Sequence, residues 1–356
     1  MSSEVLELSK NEMKNPEFKQ FKNMGLTGLA NIGNTCFMNS TLQCISHTYE
    51  LNLFLDTEVY KTRLNKKHDS LILCEWDNLR KLMWSENCII SPGGFVNAMQ
   101  KVARIKDRVI FTGFVQNDLT EFLSFVFDCF HNSICREVDM VISGKAQTKT
   151  DELAEKCYNM MKSMYKTEYS EFLNMFYGIS VSQIKSKESD YKNIIPEPFF
   201  NINVPISEKK TLIDCFDLYT EIEELGEDNK ILNDKTKLKE NATKQILFWS
   251  LPNILVISFK RFLNNGRKQQ SFIDFPIDNL NLSKYVVGYD KHSYVYDLYG
   301  ICNHSGNTGG GHYYAYIKNA NGTWYEFNDA RVEEFTNLDK LKSPYAYCFF
   351  YRKQKK

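Results

Sequence analysis

The stretch "NTGGGHYYAYIKNANGTWYEFND", residues 307–329, sets three consecutive glycines and a histidine ahead of two aromatic runs joined through Asn321-Gly322. Aromatic and β-branched residues favour strands, and an Asn-Gly pair between two such runs is a hairpin signal, so an antiparallel sheet is expected here. Successive glycines cost backbone entropy and permit close approach by another chain. That setting makes His312 a candidate general base as well as the first residue of a strand. His304, in "CNHSG", competes for the role, but it lies before the glycines and suits a hydrogen bond to the turn equally well. The returning strand is expected to bring Asp329 out at the same end of the sheet, where it accepts the Nδ1–H of His312. Asn328 is the adjacent alternative, and alternation sends the two side chains to opposite faces.

Working outward, "ILVISF" (254–259), "HSYVYDLYGICNH" (292–304) and "YAYCFFYR" (345–352) also read as strands. The first half has a different period. Leu119, Phe122, Leu123, Val126, Phe127 and Phe130 recur at helical spacing, and residues 60–110 read as helices too. Residues 175–250 are polar and lysine-rich and carry the weakest signal. The fold class is therefore α+β, with an antiparallel sheet packed against a helical first half.

A second short stretch, "NIGNTCFMNSTLQC" (31–44), precedes a helical pattern in Phe37, Thr41, Cys44, Ile45 and Thr48 that begins near Thr35. Cys36 thus stands at a helix start. A thiolate there faces unpaired N–H groups and the positive end of the helix dipole, both of which favour it. Gly33 lets the preceding loop approach a ligand, and nearby amides can hold an oxyanion. Cys36 with a histidine base and an acceptor for that histidine makes a nucleophilic constellation. The chain has ten cysteines at irregular spacing without a CxxC pair, so neither a disulfide scaffold nor a zinc ribbon is indicated, and most read as small buried hydrophobes.

Bulk composition is consistent with this. The 356 residues are 43% hydrophobic and 25% charged, enough for a substantial core in one large domain or two subdomains. Forty-four basic residues balance forty-four acidic ones, so no general attraction to nucleic acid or anionic membrane is implied. The acidic run at 221–228 reads as solvated surface. The charged first residues lack a signal-peptide core and no apolar run nears the roughly 20 residues of a membrane span, so the cytosol or nucleus is expected.

These motifs together resemble the ubiquitin-specific proteases, papain-like deubiquitinating enzymes. "GLTGLANIGNTCFMNSTLQ" is similar to their cysteine box and "GGGHYYAYIKNANGTWYEFND" to their histidine box. Between them, "FTGFVQNDLTEFLSFVFDCFH" resembles their glutamine-and-aspartate helix, and "LPNILVISFKRF" with "FIDFPIDNLNL" their strand-and-loop segment. The resemblance spans residues 25–352. It implies a papain-like fold with a helical thumb (about 25–170), β fingers (about 175–250) and an antiparallel β palm (about 251–352), after an extension at 1–24.

For function the resemblance implies a thiol isopeptidase that cuts after the C-terminal glycine of ubiquitin through Cys36, His312 and Asp329, with a thioester intermediate. Asn31 matches the oxyanion-hole residue. Gln116 and Asp118 match positions on the arginine-bearing ubiquitin tail, although Asp118-x-x-Glu121 is also a capping box. Tyr313 and the glycines 309–311, with Gly310 and Gly311 at the centre, match the passage for a Gly-Gly terminus. Asn328 is an auxiliary. No cofactor is implied, the partners are ubiquitin and ubiquitinated proteins, and a monomer is expected. Many family members bind zinc through two CxxC pairs in the fingers, but "GISVSQIKSKESDYKN" and "LNDKTKLKENATKQ" contain no cysteine. Fingers without metal, held by strand pairing and packing, are expected. Two rival functions remain: a protease for another ubiquitin-like modifier, and a silent ubiquitin-binding scaffold.

Overall fold

The computed structural model describes residues 16–263 and 265–355. Its main helices are α1 (Cys36–Ser46), α2 (Ser70–Ser85), α3 (Gly93–Ile105), α4 (Leu119–Ile134) and α5 (Lys149–Glu168). The strands used below are β1 (Gly178–Ser186), β2 (Lys192–Phe199), β3 (Asn201–Val204), β4 (Glu223–Leu225), β5 (Ala242–Ser250), β6 (Ile254–Phe259), β7 (Val295–Asn307), β8 (Gly310–Lys318), β9 (Trp324–Asn328), β10 (Arg331–Glu334) and β11 (Ala346–Lys353). Helices in the first half and strands in the second give the expected α+β class.

Among the described residues the larger sheet runs β10-β9-β8-β7-β11-β6-β3, with Leu280–Asn281 added beside β7. Its pairings are antiparallel except β6 with β3, which is parallel and departs from the wholly antiparallel palm expected. Strand β6 explains how the sheet divides the core. All six of its residues are buried, as its continuous apolar run requires of a strand covered on both faces. Ile254 and Val256 join the core shared with the helices, whereas Leu255, Ile257 and Phe259 join a second core on the other face. Helix α1 is buried at every position and lies between the sheet and α4, where Phe37 meets Phe122 edge-on with centroids 5.5 Å apart.

Within residues 175–250, four strands form a separate sheet, β2-β1-β5-β4, while β3 leaves it to join the larger one. Ala154 and Cys157 of α5 pack on Ile179, Val181 and Trp249 of this sheet. Its tip is tied by polar groups as well as by strand pairing, which the sequence reading did not anticipate. Glu240 is buried and accepts hydrogen bonds from Ser189 Oγ (2.6 Å) and Asn233 Nδ2 (2.7 Å), with Thr236 Oγ1 at 3.3 Å. Bonds from Ser186 and Ser189 hold its carboxyl below the usual range. The turn at 186–191 and the turn at 233–240 thus close on one carboxylate. A donor set of hydroxyls, an amide and one carboxylate, already bonded to each other, does not fit a tetrahedral thiolate zinc site.

Of the expected extension at 1–24, residues 1–15 lie outside the described residues. The rest does not stand apart from the domain. Phe18 and Phe21 are buried, and Phe21 stacks on Tyr49 with centroids 4.7 Å apart. The Arg352 guanidinium lies 5.1 Å from the Phe18 ring and 4.9 Å from Tyr49, and it ion-pairs with Glu50 at 2.8 Å. Cation–π contact and ion pairing together offset the burial of that charge.

Removing the carboxylate from this tip leaves Ser189, Thr236 and the buried Asn233 without their shared acceptor. Glu240→Ala is therefore expected to speed amide hydrogen exchange across 186–191 and 231–241 while β6 and β11 exchange unchanged. Hydrogen exchange resolved by mass spectrometry reads this directly.

Candidate active site

The loop before α1 is wound by two left-handed residues, Gly33 at φ +110° and Asn34 at φ +58°. The Asn31 side chain organises it. Its Oδ1 accepts from Gly33 N (3.2 Å) and Thr35 N (3.1 Å), which aims the opposite end of the amide outward. That end, Nδ2, donates to Asp329 Oδ2 at 2.9 Å. One of its two hydrogens is thereby held, and the other is free for an oxyanion. The helix then starts at Cys36, whose backbone N–H is one of the unpaired donors of the first turn.

His312, near the start of β8, reaches Cys36 from the opposite half of the chain. Interaction with the Cys36 side chain is the largest influence on the imidazole, and with Asn328 it pushes the ring up to about 9 against the desolvation of partial burial. The ring's Nε2 donates to Asn328 Oδ1 at 2.7 Å. An amide oxygen can only accept, so this bond fixes the tautomer that leaves Nδ1 as the basic nitrogen.

Here the structure departs from the expected geometry twice. Asn328, not Asp329, is the acceptor on the imidazole, and the nitrogen engaged is Nε2, not Nδ1. The cause is the turn. A two-residue turn at Asn321-Gly322 would put Asp329 on the face of His312. Instead Asn319 N donates to Thr323 O and Gly322 N to Asn319 O, both at 2.9 Å, with Gly322 at φ +88°. This is a three-residue loop with a left-handed glycine. It sets Lys318 opposite Trp324 and Ala315 opposite Phe327, shifting parity by one residue. Asp329 sits instead at the tip of the next hairpin at φ +51°, where its Oδ1 accepts from Asn39 Nδ2 (2.8 Å) and its Oδ2 holds Asn31.

The remaining expected residues line or border a cavity of about 1060 Å³. Asp118 caps α4, its Oδ1 accepting from Thr120 N (2.8 Å), and its Oδ2 accepts from Tyr347 OH (2.7 Å). Asp118 thus supplies the N-cap half of the expected capping box, accepting from Glu121 N as well, and it forms part of the cavity wall with Glu121. Tyr313 is buried, lies tilted against His304 with ring centroids 4.5 Å apart and lines the same cavity. Gly311 is required by the protein itself: a Cβ there would stand 2.3 Å from Ser305 O and 2.4 Å from His304 Nε2. A side chain at Gly310 would meet Gln116 Oε1 at 3.2 Å. His304 is buried, which lowers it to about 4, and its ring lies against Phe262 and Tyr313.

The sequence reading missed Asn39 and Tyr347. Asn39 had a signal, an amide in the first turn of a helix otherwise apolar on its inner face. Tyr347 had none, because it reads as one aromatic among many in a buried strand.

Thiol, imidazole, amide acceptor and a second oriented amide make a site for nucleophilic acyl transfer. Comparison with known proteins places it. The model of the family described as ubiquitin carboxyl-terminal hydrolase matches residues 27–351. Ubiquitin carboxyl-terminal hydrolase 2 of cattle is 32% identical over 342 residues, covering 92% of this chain and 55% of that protein. The protein of that name from chicken is 34% identical, covering 92% of this chain and 93% of that protein. The chain thus spans about half the length of the cattle relative and nearly all of the chicken one. The structure is similar to the SAGA Ubp8/Sgf11/Sus1/Sgf73 DUB module bound to ubiquitin aldehyde, with a TM-score of 0.71 and 26% identity over 94% of this chain and 71% of that one. The chain belongs to the ubiquitin carboxyl-terminal hydrolase family.

Since Cys36 raises His312, removing the thiol should release it. Cys36→Ala is expected to bring the His312 titration down from about 9 toward its ordinary 6.5, turning a ring mostly protonated at pH 7.5 into one mostly neutral. The measurement is an NMR titration of the His312 ring proton.

Proposed function

We propose that the chain is a thiol-dependent deubiquitinase that hydrolyses the isopeptide or peptide bond after the C-terminal glycine of ubiquitin. The observation that carries this reading is the meeting of Cys36 and His312 across 276 residues of sequence, inside a chain matched to the family model over 27–351. Solved relatives bound to ubiquitin aldehyde and to monoubiquitin support the substrate class.

The chemistry follows from the contacts. The Cys36 proton already rests on His312 Nδ1, so sulfur attacks the terminal glycine carbonyl as a thiolate beside the imidazolium. Charge appears on the carbonyl oxygen and is met by Asn31 Nδ2 and the N–H groups opening α1. Collapse breaks the C–N bond, His312 gives its proton to the departing lysine amine, and the acyl group stays on sulfur as a thioester. Water, deprotonated by His312, attacks the thioester and releases the carboxylate and the thiol. Asn328 orients the imidazole, and Asp329 acts one step back by holding Asn31. Glu121 and Asp118 supply negative charge to the cavity that takes the basic tail. No cofactor enters these steps. The same reading has the protein acting as a monomer in the cytosol or nucleus, with a balanced net charge that gives no general attraction to nucleic acid.

Cys36→Ala is expected to abolish turnover of ubiquitin carrying a C-terminal fluorophore by several orders of magnitude while ubiquitin still binds. Undiminished activity would refute the nucleophile. Asn31→Ala should lower kcat by about 10²–10³ with KM little changed, the effect of losing one oxyanion donor. Asp329→Ala should follow it in kcat, and Asn328→Ala should instead displace the pH profile. Labelling by an electrophilic probe built on another ubiquitin-like modifier, with none by the ubiquitin probe, would favour the first rival. Binding of ubiquitin without any turnover would favour the silent scaffold.

A further inference from the structure

The proposed nucleophile is shut in: Cys36 is 2% exposed. The cavity beside it runs between the segment entering α4 and the start of β8, with Gln116, Gly309, Gly310 and Tyr313 in its wall, yet neither Cys36 nor His312 forms part of that wall. At this boundary the Gln116 amide spans from one side to the other. Its Nε2 donates to Gly311 O at 3.0 Å and its Oε1 accepts from Gly311 N at 3.1 Å. Both backbone groups of Gly311 are thus occupied by one side chain 195 residues away.

The strap that carries Gln116 is also fastened to the loop before the nucleophile. Asn34 Nδ2 donates to Phe114 O at 3.0 Å, and a Cβ on Gly33 would meet the Phe114 ring at 3.2 Å. Phe114, Val115 and Gln116 are themselves exposed, so little apolar burial holds the strap down. Deeper in, Tyr313 of β8 bonds the Leu119 backbone at the start of α4, whereas the amide pair with Gly311 is the exposed tie between the two walls, and an exposed neutral pair of this kind opens at modest cost.

We infer that Gln116 is a latch: its paired hydrogen bonds to Gly311 close the cleft over Cys36 in the ligand-free protein, and an incoming peptide tail opens it by taking over the N–H and C=O of Gly311. An extended tail offers the same donor and acceptor as the glutamine amide, so the exchange leaves no backbone group unpaired. A conjugate has bulk on both sides of the scissile bond and cannot be threaded endwise past a closed tie. The latch therefore opens on every turnover. Opening draws on binding energy from the body of the substrate, which disfavours short peptides that carry only the tail. The identity of the tail rests on the proposed function; the closure over Cys36 does not.

Alkylation of the ligand-free protein by iodoacetamide, read cysteine by cysteine with mass spectrometry, tests the closure. Gln116→Ala is expected to raise the Cys36 rate on the order of tenfold, with the half-exposed Cys74, Cys88 and Cys135 unchanged as internal references. Gln116→Glu keeps the acceptor but loses the donor and should give a smaller rise. An equal or slower Cys36 rate in Gln116→Ala, or a rise shared by all four cysteines, overturns the latch. A second readout compares full-length ubiquitin with a short tail peptide, both bearing the same fluorophore. Gln116→Ala should lower the ratio of their kcat/KM values severalfold by favouring the peptide, and an equal change on both substrates counts against gating. Absence of turnover on full-length ubiquitin by the unaltered protein would defeat the proposed function and leave the alkylation result to stand alone.

Discussion

A helix with no exposed residue has nowhere to slide, and that condition holds for α1. Its eleven residues are buried between the sheet and α4, so the position of its first residue is set by close packing along the whole length. Everything at the site is referred to that position. The Asn31 loop delivers the chain to it, β8 presents the imidazole opposite it, and Asn39 of its first turn reaches the hairpin carrying Asp329. A core of this density resists displacement of a side chain by even one methylene, and placement of reacting atoms depends on that rigidity.

The other half of the placement is a matter of parity. Two neighbouring residues, Asn328 and Asp329, take different tasks because strand residues alternate in direction and a hairpin loop of odd length inverts the alternation relative to one of even length. The neutral side chain consequently meets the imidazole. The charged one meets two amides whose orientation it fixes, Asn31 and Asn39. A carboxylate is well used there, since it can accept from both amides at once and lock them against flipping.

Much of this was legible in the sequence, and the reasons are local. The 3.6 spacing of Leu119 to Phe130 and the unbroken apolar run of β6 are strong one-dimensional signals. So are the glycines before His312. What escaped was set by features that do not show in a single segment. The loop length at 319–323 depends on hydrogen bonds that the Asn-Gly pair does not dictate by itself. The finger sheet escaped because its strands are half-exposed and amphipathic patterning is weak where one face is wet. The Glu240 tie joins two turns whose contact is tertiary. Helix α5 carried an overlooked marker, the capping box of Thr148 with Asp151.

The aromatic setting of Arg352 has an architectural consequence. Because the Phe18 ring lies 5.1 Å from that guanidinium, the first and last segments of the described chain lie side by side in one folded unit. A fold whose first and last described segments lie together admits chain leading away from either side without unravelling its core.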